Sequence, residues 1–188
     1  MTSPVLRLSG ITKRFGALTA NDAISFELAR GEVLALLGEN GAGKTTLMNI
    51  LFGHYVADAG EVEVFGKRLP PGDPRAALDA GIGMVHQHFT LAENLTVLDN
   101  IALGTQSLFA PRFDRDTARK RIARIAGDFG LDVSPSALVA SLAVGERQRV
   151  EIVKALYRDA KILILDEPTA VLTPGESTAL FETLRRLT

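Results

Sequence analysis

The octapeptide Gly38-Glu39-Asn40-Gly41-Ala42-Gly43-Lys44-Thr45 has the spacing G-x-x-x-x-G-K-[ST] and lies between two apolar segments. Residues 33–37 predict a buried strand, and the segment that starts at Thr46 predicts a helix. Glycine permits turns that a side chain would block, so successive backbone N–H groups can face phosphate oxygens. A glycine-rich turn that carries a lysine by chance is the competing interpretation, and the strand–loop–helix context disfavours it. The pattern therefore predicts a nucleotide-binding loop.

Each part of this loop has an expected role. The helix that begins near Gly43 directs its positive end at the phosphates. Lys44 bridges the β- and γ-phosphates, and the hydroxyl of Thr45 binds Mg²⁺. The nucleotide contacts expected in this region are Gly38, Glu39, Asn40, Gly41, Ala42, Gly43, Lys44, Thr45 and Thr46.

Length and composition limit the possible functions. The 188 residues suit one domain, with a single well-formed core, and the formal net charge of -1 gives no general attraction to nucleic acid. The chain has no cysteine, which excludes disulfides and thiolate metal sites. No apolar run reaches the length of a membrane span, and the N-terminus does not resemble a signal peptide. We expect a cytoplasmic protein without a nucleic-acid partner.

Hydrophobic periodicity predicts a mixed α/β chain. Alternating residues at 5–8, 23–28 and 61–65 predict strands of an antiparallel sheet with one solvated face. Apolar runs at 82–85 and 161–165 predict buried strands. Helices are predicted at 75–80, after Thr96, at 114–129, at 144–158 and after Thr173, the last with Leu180, Phe181, Leu184 and Leu187 on one side. Residues 95–142 form a predicted helical block within the α/β chain.

A second strong signal is Asp166-Glu167, which follows the apolar run 162–165. A carboxylate at the end of such a strand can hold Mg²⁺ through water, while its neighbour polarises the attacking water. An Asp-Glu pair in a solvated turn is the ordinary alternative. Beside a complete phosphate loop, the pair predicts Asp166 as a metal residue and Glu167 as the catalytic base.

The order of these motifs resembles the nucleotide-binding subunits of ATP-binding cassette (ABC) transporters over essentially the whole chain. The resemblance implies an α/β P-loop NTPase with an ABC-type antiparallel β subdomain and an inserted helical subdomain at 95–142, within one domain of residues 1–188. It implies that Gln87 contacts Mg²⁺ and links the site to a membrane subunit. It also implies that Phe15 stacks on adenine, although a phenylalanine of the core is the alternative for this residue.

The chain departs from the family at the signature stretch. The usual Leu-Ser-Gly-Gly-Gln is replaced by Leu142-Ala143-Val144-Gly145-Glu146. In the family this stretch caps the γ-phosphate of ATP held by the opposing subunit, which implies nucleotide contacts for Ala143, Gly145 and Glu146. Ala143 offers no hydroxyl and Glu146 brings a negative charge, so either this half-site is weak or its partner compensates. Thr173 also replaces the usual aspartate of the loop that contacts the opposing subunit.

Residues 144–146, 151–158 and 84–89 look most like importers of nucleosides and simple sugars. The resemblance implies ATP hydrolysis with Mg²⁺ and peripheral attachment at the inner face of the membrane. It also implies a second cassette in tandem or as a dimer, membrane permease subunits and, indirectly, a solute-binding protein. No histidine follows His88, so we expect a first cassette that is incomplete at its C-terminus.

Three alternatives remain from the sequence. One is a soluble ABC ATPase that acts in DNA repair or translation, which the short insert without heptads or a basic block disfavours. Another is a binding module whose altered signature has ended catalysis. The third is a metal site at His86 and His88, which we expect instead to be surface or interface residues because no third ligand is in sight.

Overall fold

The computed structural model describes residues 3–87, 89–105 and 114–188, so His88 lies outside the described residues. The chain divides into two compact units. The first extends to Gly83 and takes in Thr188, and the second comprises Met84–Leu187. No helix within the described ranges is both long enough and apolar enough to span a membrane. The helical subdomain at 95–142 stays a prediction.

The first unit is built on a four-stranded antiparallel sheet in the order β2-β1-β3-β4. Its strands are β1 (Leu6–Phe15), β2 (Leu18–Leu28), β3 (Ala59–Val64) and β4 (Lys67–Arg68). Leu8 and Val62 are buried partners across β1 and β3, whereas Arg7 is exposed and contacts Glu27 of β2 at 2.7 Å. This alternation confirms the antiparallel sheet with one solvated face.

Two helices complete the first unit: α1 (Lys44–Leu51) and α2 (Pro74–Asp79). The carboxylate of Asp73 accepts the N–H groups of Arg75 and Ala76 at 2.9 and 3.0 Å, so Asp73 caps α2. Leu47, Ile50 and Leu51 form the buried face of α1.

The strand predicted at residues 33–37 is wrong. The segment has no regular secondary structure, and Leu37 is 93% exposed. Its apolar composition suits a strand with neighbours on both edges, but the sheet of the first unit does not include it. Without a neighbouring strand the segment has no ladder of hydrogen bonds, which local sequence cannot reveal.

In the residues that the structure describes, the second unit combines four helices with one strand and the last two residues of another. β5 (Ile82–Val85) and β6 (Ile162–Leu165) are neighbours, and the N–H of Asp166 donates to the carbonyl of Val85 at 3.1 Å. The helices are α3 (Val97–Ala102), α4 (Arg115–Phe129), α5 (Val144–Tyr157) and α6 (Pro174–Leu187), and a 3-10 turn spans Val139–Ser141.

The core of the second unit lies where α3, α4 and α5 pack together. Ile101, Ile122 and Val153, one from each helix, are fully buried. The stripe predicted for α4 is confirmed, since the buried residues include Ala118 and Ile125. On α6, Leu180 is buried but Phe181 is 52% exposed, so its placement on the apolar face is wrong. Thr183, three residues after Leu180, is buried there instead.

Candidate nucleotide site

The loop before α1 has the backbone that its glycines permit. Gly41 and Gly43 have φ values of 85° and 80°, in the left-handed region that disfavours side chains. A Cβ at Gly43 would also collide with the backbone oxygen of Ala20 on β2. Packing against β2 and the sharp entry into α1 therefore both require glycine at position 43.

The N-terminus of α1 differs from the starts of the next three helices. Within the described ranges, no side chain caps this helix, and its first turn has no acidic residue. The starts of α2, α3 and α4 are instead capped by Asp73, Thr96 and Asp114. A helix start without a side-chain cap or an acidic residue, at the positive end of the helix dipole, thus suits a phosphate.

Lys44 is held inside the curve of the loop. Its Nζ donates to the carbonyl oxygens of Gly38 and Glu39 at 2.7 and 2.8 Å. The turn from Glu39 to Ala42 is closed by the N–H of Ala42, which donates to the carbonyl of Glu39 at 3.1 Å. An ammonium group and a helix start without a side-chain cap therefore lie in one loop. The phosphate contacts expected of this segment stay a prediction.

Asn21 of β2 supports the loop, although no sequence pattern indicated it. Its Nδ2 donates to the carbonyl of Gly43 at 3.1 Å, and the residue is only 6% exposed. Its Oδ1 is buried and has no hydrogen-bond partner in the part of the chain that the structure describes. The signal in the sequence was a single asparagine in a strand, which is too weak to indicate a role.

Phe15 lies at the end of β1 and is not part of the core. The ring is 44% exposed and meets Tyr55 edge to face, with 5.8 Å between centroids. The Nζ of Lys13 lies 5.4 Å from the ring centroid. This exposure excludes the core alternative, and stacking on adenine stays a prediction.

In the second unit, the structure brings Gln87 and Glu167 together. The Nε2 of Gln87 donates to Oε2 of Glu167 at 3.0 Å. Asp166, which precedes Glu167 at the end of β6, is buried. Glu167 has a φ of 47°, which is uncommon outside glycine. The predicted base and the predicted glutamine are therefore direct partners.

The signature stretch forms the start of α5. Ala143 occupies the cap position, where a methyl group can accept no hydrogen bond. The Oε2 of Glu146 accepts the N–H of Ala143 at 2.8 Å, which is one half of a capping box. The negative charge of Glu146 is thus engaged with the start of its own helix.

Gly145 faces a carboxylate from α6. Glu176 accepts the N–H and the hydroxyl of Thr173 at 2.9 and 2.8 Å, so the two residues form a capping box at the start of α6. These hydrogen bonds, and a weaker one from the N–H of Gly145, lower the pKa of Glu176. A Cβ at Gly145 would lie 2.9 Å from Cδ of Glu176 and would collide with its Oε1.

Comparison with known proteins identifies the family. The model of a family described as ABC transporter matches residues 21–170. The chain belongs to this family. It is 51% identical, over 97% of its length, to the nucleoside import ATP-binding protein NupA of Lactococcus lactis, of which it covers 36%. It is 47% identical, over 98% of its length, to the glucose import ATP-binding protein TsgD13 of Haloferax volcanii, of which it covers 39%. The chain thus spans little more than a third of the length of these relatives.

Solved structures agree with the ABC fold. The ADP conformation of the ATP-binding cassette MJ1267 superposes with a TM-score of 0.86 at 28% identity, covering 99% of this chain and 77% of that one. A dimeric post-hydrolysis state of the cassette MJ0796, bound to ADP and Pi, superposes with a TM-score of 0.79 at 25% identity, covering 97% and 82%. The predicted fold class, a P-loop NTPase of the ABC type, is confirmed.

The oxygen ligands that this ABC chain offers suit a magnesium ion that also binds phosphate oxygens. Among residues 3–87, 89–105 and 114–188, no three His, Cys, Asp or Glu side chains are grouped as a metal site. Magnesium needs no such cage, because it is usually held by one or two carboxylates together with phosphate oxygens and water. A buried carboxylate such as Asp166, at the end of a strand, fits that chemistry.

Proposed function

We propose that this chain is the ATP-binding and ATP-hydrolysing cassette of an ABC importer for a nucleoside or a simple sugar. The observation that carries the proposal is the open N-terminus of α1, with Lys44 held in the glycine loop before it. The relatives whose names specify import of nucleosides or glucose support the substrate class. The proposed organisation is one cassette with a helical subdomain at 95–142.

The chemistry assigned to each residue follows from its position in the motifs. The loop from Gly38 to Thr46 would hold the phosphates of ATP, with Phe15 against the adenine. Mg²⁺ would be bound by Thr45, Asp166 and Gln87, and it would neutralise charge on the phosphates.

Glu167 is the proposed base, and the amide of Gln87 orients its carboxylate. Because that amide donates to Oε2 of Glu167, the lone pairs of Oε1 remain available for the attacking water. Hydrolysis would require Gln87 to hold the carboxylate in place without neutralising it. An amide can do this because it carries no charge.

The proposed partners act from outside the chain. A second cassette, in tandem or as a dimer, would present its signature helix to the nucleotide, and the dimeric MJ0796 cassette supports such an arrangement. Permease subunits at the inner face of the membrane would receive the motion, and a solute-binding protein would act through them.

A catalytically degenerate cassette is the second candidate, and the start of α5 favours it. The N–H of Ala143 already binds Glu146, and the N–H of Gly145 faces Glu176. These are the groups that would otherwise meet the γ-phosphate of a partner. In this candidate the chain binds ATP at its own loop, and its signature helix contributes little to the opposite site.

ATP binding and turnover by the full-length natural protein, with its membrane partner, test the proposal. We expect Lys44→Ala to weaken ATP binding because it removes a charge-assisted contact to phosphate. Glu167→Gln should leave ATP affinity near that of the parent and lower turnover by about a hundredfold or more. Turnover that is unchanged in Glu167→Gln would remove this residue from the mechanism.

The same preparation distinguishes the two candidates. An importer cassette hydrolyses ATP faster when its solute is supplied, and the candidate nucleosides and sugars can be compared directly. Tight ATP binding that depends on Lys44, without turnover under any of these conditions, would favour the degenerate cassette. Absence of ATP binding would contradict both candidates.

A further inference from the structure

Glu151 is a buried carboxylate that the proposed mechanism does not use. It lies on α5 and is 5% exposed. Its Oε1 accepts the N–H and the hydroxyl of Thr90, at 2.7 and 2.9 Å. Its Oε2 accepts a longer hydrogen bond from Nζ of Lys154, at 3.3 Å. Burial of a charge is costly unless it is paired and hydrogen-bonded, so this closed network is a specific feature of the fold.

Lys154 closes the network on its other side. It lies three residues after Glu151, on the same face of α5, and its Nζ also donates to the hydroxyl of Thr90 at 3.0 Å. The hydroxyl of Thr90 therefore donates a hydrogen bond to Glu151 and accepts one from Lys154, and both of these charged residues belong to α5. Thr90 follows Gln87 by three residues, so the network fixes the chain close to that glutamine.

The segment after Thr90 is tied down as well. The N–H of Ala92 donates to Oδ1 of the buried Asn100 at 2.7 Å, and the amide of Asn100 donates back to the carbonyl of Ala92 at 3.0 Å. One residue on, Glu93 pairs with Arg147 of α5 at 2.7 Å. Residues 90–93 are therefore attached to α3 and α5, and two of these attachments are to α5.

We propose that Glu151 is a positioning residue that joins the Gln87 segment to α5. Residues 90–93 and α5 then move as one body, so the amide of Gln87 at Glu167 and the helix start at Gly145 shift together. Gly145 and Glu151 are six residues apart, which is about 9 Å along a helix, and a helix transmits such a displacement rigidly. The inference rests on the proposed function and adds a residue to it.

Kinetics of the full-length natural protein test the role of Glu151. Glu151→Leu removes both acceptor oxygens, whereas Glu151→Gln keeps one oxygen for the two donors of Thr90. Val153→Ala is the matched control, because Val153 is fully buried on α5 and its truncation destabilises the core without touching Thr90. The ATP concentration dependence of turnover is measured for each variant, per folded molecule, with Lys44→Ala as the blank.

The expected result separates kcat from KM. Glu151→Leu should lower kcat by about tenfold or more while KM for ATP stays within about twofold, since the phosphate loop is intact. Glu151→Gln should remain within about threefold of the parent, as should Val153→Ala per folded molecule. A merely structural Glu151 would instead give Glu151→Leu and Val153→Ala equal losses at equal folded fraction, and that result would overturn the proposal.

A second variant and the turnover of the parent protein complete the test. If Glu151→Leu fails to fold, Thr90→Val removes the hydroxyl alone and should lower kcat by about threefold or more, and an unchanged kcat would overturn the proposal. A parent protein without turnover that depends on Lys44 would contradict the proposed function instead. The failure of the two proposals can therefore be told apart.

Discussion

At the scale of single residues, Phe15 offers the clearest separation of binding from stability. Because the ring is 44% exposed, Phe15→Ala should change the melting temperature little. Loss of stacking on adenine should weaken ATP binding by an amount up to the range of about 1–3 kcal/mol found for bases stacked on aromatic side chains. Phe65→Ala, at a phenylalanine that is 45% exposed, is the matched control for both measurements. A large fall in melting temperature with unchanged affinity would contradict the assignment.

Gly145 is a residue whose identity depends on a neighbour from another helix. In Gly145→Ala the new methyl group would displace the carboxylate of Glu176, which is held by Thr173. We expect a lower melting temperature, and a smaller fall when Glu176 is already alanine, because the collision partner is then absent. Melting curves of the two single variants and the double variant measure this coupling. Additive effects would show that the two residues do not interact.

Sequence patterns indicate the roles of some single residues and not of others. Motif spacing predicted Lys44 and Glu167, because each belongs to a pattern whose chemistry is recognisable, and the family resemblance implied Gln87. The roles of Asn21 and Glu151 depend on which element packs beside them, and no local pattern records that. Their buried polar atoms became informative only when their partners were known.

At the scale of elements, Asp99 joins the starts of two helices and makes their stability depend on pH. Its carboxylate pairs with Arg115 at 2.6 Å and accepts the hydroxyl of Thr96, which caps α3. The hydrogen bond from Arg115, followed by that from Thr96, lowers the pKa of Asp99. A lowered pKa contributes stability above the unfolded value of about 3.9, and this contribution is lost as the pH falls through the folded value.

The expected outcome is a weaker acid dependence in Asp99→Asn. Above pH 5 the variant should be less stable than the parent by at most about 1 kcal/mol, the usual limit for a partly exposed pair. Below pH 4 the difference should shrink, because protonation removes the same charge from the parent. Urea unfolding across this pH range is the measurement, and Asp128→Asn, at an exposed position of α4, is the control. A difference that stays constant with pH would contradict the assignment.

Helix α4, which has a cap at both ends, was predicted well from the sequence. α4 begins after Asp114 and ends at Gly130, as its sequence indicated, and its buried stripe has the expected spacing. The prediction of a strand at 33–37 was wrong because a buried strand needs neighbouring strands, and the residues of a segment do not show whether neighbours are present. The predicted burial of Phe181 was wrong for a related reason, since the width of the buried face of a helix depends on the elements that pack against that helix.

At the scale of the whole molecule, nucleotide binding should appear as a gain in stability. A ligand that binds only the folded chain, at a hundred times its Kd, stabilises it by about 2.7 kcal/mol at 25 °C. Thermal melting with and without ATP and Mg²⁺ measures this gain. Lys44→Ala should reduce the shift strongly, while its melting temperature without nucleotide stays near that of the parent. An equal shift in both proteins would place the nucleotide elsewhere.

The uncapped start of α1 has a practical consequence for anyone who handles this protein. Inorganic phosphate and sulfate carry the same charged oxygens as the end of ATP, so we expect both to compete with ATP for the start of that helix. Affinities measured in phosphate buffer will therefore be weaker than those measured in a buffer of bulky organic anions. The choice of buffer salt is thus an experimental variable, to be stated beside every binding constant.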